Sequence, residues 1–207
     1  MNIYSIPQLI ISIYLLIIVY FIIKGGKTIT HISFSVMCIG GFIWLFSCFI
    51  MYNIRTDNYE LATLLSRICY VGTTLIPMMY YQFVISFLRI KSKILIFMYA
   101  LGLLFILIDV FTPLIVVGSY KFFWGYYPRR GMFHPLFLAY TLTLFLISLR
   151  HLYIHSHKEN IVPSERLRVK YVYWAFLLGN IGAIDFIQTY NFEFYPLGCF
   201  NIAIFGS

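Results

Sequence analysis

Acidic side chains are scarce: seven Asp and Glu stand among 207 residues beside fifteen Lys and Arg, and charged residues make up only 11% of the chain. Soluble domains carry about 25% charged residues because a folded surface has to meet water. With 61% hydrophobic residues, the chain cannot cover a core of its size with polar side chains, which excludes a soluble domain and points to an integral membrane protein. Cysteine is scarce as well. Cys38, Cys48, Cys69 and Cys199 lie inside apolar runs without zinc-like pairing, so they read as thiols packed as small hydrophobes. Neither HExxH nor GxSxG occurs, and no Lys follows Lys170. Metallohydrolase and serine-hydrolase chemistry therefore lack their carriers, and a retinal Schiff base lacks a lysine in a seventh helix. No metal or cofactor is expected. The net charge of +8 does not imply a nucleic-acid partner, because the basic residues sit in short groups between apolar runs, where membrane topology accounts for them.

What is present is a series of apolar runs of membrane-spanning length. A span plus its connection takes about 30 residues, so this chain accommodates six or seven helices and no added soluble module. The runs are Pro7 to Ile23, His31 to Tyr52, Leu61 to Leu88, Ile94 to Val117, Met132 to Ile154, Tyr171 to Tyr190, and a last one from Leu197. The first lacks the basic start and cleavage site of a signal peptide and reads as a retained helix. The last covers about ten residues, half of a hydrocarbon core. The expected fold is thus an all-α polytopic bundle, 1–207 being one seven-transmembrane domain cut within its last helix and separated from whatever follows. Ten of the fifteen basic residues, from Lys24 and Lys27 through Arg89, Lys91 and Lys93 to the Arg150–Lys170 stretch, fall on one side of this layout. That side is expected to be cytoplasmic and the N-terminus outside, in the plasma membrane.

Three stretches carry a family likeness: Trp44; Arg67-Ile-Cys-Tyr-Val-Gly72 with Pro77 and Phe83; and Trp124-Gly-Tyr-Tyr-Pro128 with Gly131 and His134-Pro-Leu-Phe137. Arg168-Val-Lys-Tyr171, Gly179, Asp185 and Tyr195-Pro-Leu-Gly198 add a fourth. In this order they resemble the N-terminal seven-transmembrane sensor region of histidine kinases. The resemblance implies a sensory input domain that relays a stimulus to a cytoplasmic transmitter in cis. It implies neither a particular ligand nor kinase activity for these residues, since no phospho-accepting helix pair or ATP-binding region is present. The partners expected are the lipid bilayer, an unidentified small ligand, the transmitter and, as one arrangement open to it, a second copy.

The residues themselves supply a candidate site. Arg67 lies about six residues inside the outer end of the third run, and Asp109 and Asp185 about fifteen inside the inner ends of the fourth and sixth, which puts all three at similar depth. Charges in hydrocarbon face the bundle interior and seek partners, and an Arg fork can take a carboxylate bidentately. The three are expected to form one buried cluster, read either as the floor of an outward-facing ligand pocket or as a static ion pair. The aromatic segment bearing Trp124, Tyr126 and Tyr127 reads either as a headgroup belt or as a lid over that pocket. His151 and His155 have the i, i+4 spacing of metal ligands but lack a third one, and read as a solvated turn. Gly40, Gly41, Gly72, Gly102, Gly179 and Gly182 read as places where helices approach closely. A small-solute transporter is the alternative function, although no internal repeat supports it.

Overall fold

The computed structural model describes residues 1–55, 57–159 and 161–200. After a short 3-10 turn at Ile3–Ser5 come α1 (Ile6–Gly25), α2 (Ile29–Asn53), α3 (Tyr59–Phe87) and α4 (Leu95–Phe111). A hairpin follows, β1 (Val116–Phe122) and β2 (Gly125–Arg130), then α5 (His134–Ser156), α6 (Pro163–Gly179) and a 3-10 segment, Asn180–Tyr190. Residues 198–200 begin a further helix; the remainder of the seventh run lies outside the described residues.

The ends of these helices follow from local chemistry. Pro occupies the first turn of α1, α5 and α6, where its missing N–H costs no hydrogen bond. Thr28 and Asn58 cap α2 and α3, each accepting a backbone N–H on its side-chain oxygen. Four helical stretches are long and apolar enough to cross a membrane: 3–25, α2, α3 and α5. α4 and α6 are 17 α-helical residues each, rising about 25 Å, and α6 continues in a different helical geometry to Tyr190; the described residues thus show four α-helical spans of full length.

α3 is the central helix, packing against α2, α4, α5 and the hairpin, while α1 lies along α2 and α6 along α5. α2 and α3 cross at two glycines. A methyl group on Gly72 would meet the Gly40 carbonyl oxygen at 2.5 Å and the Trp44 nitrogen at 2.8 Å, so the two backbones touch there, as the small residues led one to expect.

Two features depart from the expected all-α bundle. The segment after α4 is not a loop but an antiparallel hairpin, with Phe122 opposite Gly125 and Tyr120 opposite Tyr127. Its β-branched and aromatic composition suits a pleated surface. Phe123 and Trp124 make the two-residue turn, which closes because Gly125 takes a φ of +140°, and a side chain there would also strike the Tyr52 Cα at 2.5 Å. The sixth run, in turn, is α-helical only to Gly179 and then continues as eleven residues of 3-10 helix. Runs of that geometry seldom exceed four residues and mark hinges or strain.

Candidate functional site

All of the connections on the hairpin side, the N-terminal turn, the α2–α3 link, the hairpin and residues 180–200, gather at one end of the bundle. Three of the six residues singled out from sequence build the cover there. Trp124 and Tyr126 are fully buried and Tyr127 is 4% exposed. Trp124 stacks on Phe122 at 4.6 Å, and its carbonyl accepts from Asn2 Nδ2 at 2.6 Å. Tyr126 meets Tyr59 edge-on at 5.4 Å. An isolated hairpin is marginal in water, and these buried rings fix it to α2 and α3. The segment is therefore docked on the bundle through these three rings, while Phe123 stays exposed.

Arg67, Asp109 and Asp185 do not form one cluster. Arg67 donates through Nη1 to the Val110 carbonyl at 3.3 Å, and the ion pairs among the described residues are Lys121–Asp57 and His155–Glu165. Asp109 is 1% exposed, and neither of its oxygens has a hydrogen-bond partner among the described residues. The Arg67 charge acts on it without direct contact. Asp185 is engaged elsewhere: Oδ1 accepts from the Leu197 N–H at 3.0 Å and Oδ2 from the Gly198 N–H at 2.8 Å. Its backbone carbonyl accepts from the Tyr127 hydroxyl at 2.8 Å. Arg67 and Asp109 do share a depth, since the guanidinium meets the carbonyl of the next residue, Val110, but the Asp109 carboxylate makes no bond to it; Asp185 is drawn away by its place in the 3-10 segment, where it binds Leu197 and Gly198.

Beneath the hairpin lies a cavity of about 140 Å³ between the α1–α2 pair and α3, α5 and α6. Tyr127 and Asp185 reach it; Arg67, Asp109, Trp124 and Tyr126 do not. Each wall is one helix face. Phe34, Met37, Cys38, Gly41 and Trp44 come from α2, and Cys69, Tyr70, Thr73, Ile76 and Tyr80 from α3, at the three- and four-residue steps of a single stripe. Pro77 follows this stripe and offers no N–H to the Thr73 carbonyl four residues back. The remaining wall is the 3-10 segment, through Asn180, Gly182, Ala183, Asp185, Phe186 and Thr189.

The lining is aromatic with a small polar group. Tyr80 packs against Phe176 at 4.1 Å and Phe145 at 5.4 Å between ring centroids. Its hydroxyl lies beside the Asn180 amide. Tyr80 Oη, Asn180 Nδ2 and Thr141 Oγ1 are buried, and none makes a hydrogen bond of good geometry among the described residues. Among the described residues, no Lys, Arg or His lines the cavity. Sequence reasoning missed this trio. Its signal was there, in Thr73 and Tyr80 two turns apart on one face of α3 and in Thr141 one turn before Phe145, as weakly polar residues inside apolar runs.

The fold and cavity define a membrane-embedded helical protein with a largely apolar cavity under a docked hairpin, lined by one carboxylate, Asp185. Compared with known proteins, the chain matches no family model and no curated sequence.

Proposed function

We propose that this chain is the sensory input region of a membrane receptor, in which occupancy of the cavity is passed to a cytoplasmic output through α6 and the segment after it. The observation that carries the reading is the shared wall. The 3-10 segment lines the cavity, continues α6 directly and, through Asp185, holds the N–H groups of Leu197 and Gly198 at the start of the next helix. An occupant that changes this wall therefore acts on both chain directions leaving it. A ligand shifts two conformations only by binding them unequally, and a wall of sparsely used geometry offers a second conformation at small cost. The resemblance to histidine-kinase sensor regions and the concentration of basic residues at the end opposite the hairpin support the same orientation, hairpin outside and output inside.

The test is a fusion of this region to a histidine-kinase transmitter, with autophosphorylation measured in membrane vesicles. Thr141→Phe, which places a ring in the cavity, should shift the basal level at least threefold while membrane insertion is unchanged. Equal output from Thr141→Phe and the parent overturns the receptor reading. One observation favours a transporter instead: transporter sites are commonly built where a helix is interrupted beside a midplane cavity. Solute uptake into proteoliposomes together with a silent transmitter would establish that alternative.

A further inference from the structure

We infer that the cavity takes a small neutral molecule, one ring in size, that carries a single hydroxyl-like hydrogen-bonding group. The inference rests on reading the cavity as the receptor site, and it adds the chemical class of ligand.

Size comes first. An engineered cavity of about 150 Å³ lined by Leu, Ile and Phe stays dry and binds benzene or xenon. At about 140 Å³, this chamber is of the same scale and has room for one six-membered ring with a small substituent. The wall sets the shape. Tyr80, Phe145, Phe176 and Phe186 present rings to the space, and aromatic pairs in offset or edge contact gain about 0.5–1.5 kcal/mol beyond burial.

Charge is excluded from both directions. An anion would find no Lys, Arg or His among the described lining residues, and a cation would find a single carboxylate, Asp185, whose oxygens are turned to the Leu197 and Gly198 N–H groups. Burying an unpaired charge under these conditions is far more costly than any packing gain. A wholly apolar ring fits poorly for the opposite reason, because it leaves the Thr141 hydroxyl desolvated without a partner and the Tyr80 hydroxyl with only the Asn180 amide beside it. Water could satisfy that trio but would wet the aromatic wall around it. A ring bearing one hydroxyl answers both requirements: the ring meets the wall, and the hydroxyl both donates and accepts among the three polar atoms.

Phenol, benzene and benzoate are the probes, titrated by calorimetry into the protein expressed from its complete gene and held in lipid nanodiscs, with empty nanodiscs subtracted. Phenol should bind saturably and at least tenfold more tightly than either benzene or benzoate. Thr141→Val, which keeps the shape and removes the hydroxyl, should weaken phenol about fivefold to tenfold and leave benzene unchanged. Thr141→Phe should abolish phenol binding. Saturable binding led by benzoate, equal binding of phenol and benzene, or no binding above empty nanodiscs each overturns the inference. The transmitter fusion separates this result from the receptor reading. Phenol binding with no change in autophosphorylation rejects the receptor and keeps the ligand class, whereas a response to benzoate alone does the reverse.

Discussion

Asp185 is the charged residue whose surroundings are most completely arranged. Two backbone N–H groups meet its carboxylate, and a methyl group on Gly198 would overlap Oδ2, so the close fit depends on glycine at that position. Replacing Asp185 with Ala leaves two N–H groups without their acceptor and should lower stability by about 1–3 kcal/mol, read as a lower midpoint of thermal unfolding in detergent. Asp109 provides the contrast. Its oxygens lack partners among the described residues, so Asp109→Asn should leave the midpoint unchanged or raise it. A loss as large as that of Asp185→Ala would mean that Asp109 makes a bond in the membrane that its present geometry does not contain. Tyr195 gives a third test. Its hydroxyl donates to the Tyr4 carbonyl at 2.8 Å and accepts from Gln8 Nε2 at 2.9 Å, tying the segment after Asn191 to the start of α1. Burial pushes the Tyr195 phenol up to about 12. The sign follows from linkage: a group held protonated in the fold contributes fully below its unfolded value near 10 and loses that contribution as pH rises through about 12. Tyr195→Phe should therefore lower stability by about 1 kcal/mol at pH 7, and the difference from the parent should shrink as the pH is raised from 10 to 12.

Among the elements, helices bounded by polar breaks were readable and those bounded by conformation were not. The runs beginning at Pro7, His31, Leu61 and Met132 correspond to α1, α2, α3 and α5 to within a few residues, because hydropathy changes abruptly at their ends. The fourth run continues in hydropathy to Val117, yet α4 stops at Phe111. Pro113 disfavours helix at the residue before it, and Val116 and Val117 enter a strand whose pairing only the fold supplies. The sixth helix begins eight residues before the apolar run does, at Pro163. Ser164-Glu-Arg-Leu-Arg-Val-Lys170 is too charged to register as a span, but it is helix-competent and largely exposed, with only Val169 buried. Of the site, the aromatic cover was visible as a segment, while the polar trio was not, since Tyr80, Thr141 and Asn180 come to line one cavity only after three elements are packed. The α2–α3 crossing is the element-level contact most exposed to a single change. Gly72→Val should cost about 1–3 kcal/mol or more through overpacking against backbone, measurable as loss of folded protein during detergent melts. Gly25→Ala, with nothing within 4 Å of the added carbon, is the matched control and should melt like the parent.

For the whole molecule, the helices place ten basic residues, Lys24, Lys27, Arg89, Lys91, Lys93 and the five from Arg150 to Lys170, at the end away from the hairpin, and Arg55, Arg67, Lys121, Arg129 and Arg130 at or near the hairpin end. With this asymmetry, reporter fusions made after Lys93 and after Lys158 should both report cytoplasm. A periplasmic signal at either site would invert the proposed orientation. The extended wall of the cavity also has a mechanical meaning. A 3-10 helix rises about 2.0 Å per residue and takes three residues per turn, against about 1.5 Å and 3.6 in an α-helix. Recoiling the eleven residues from Asn180 to Tyr190 into α geometry would shorten them by about 5.5 Å, one α-helical pitch, and turn one end past the other by roughly half a revolution. In the present conformation the segment is held at Asp185 by the Tyr127 hydroxyl on one side and by the backbone of Leu197 and Gly198 on the other, and recoiling would be its expected travel. Spin labels at Trp174 and Phe192, both on exposed positions that flank it, would read that travel directly as a distance.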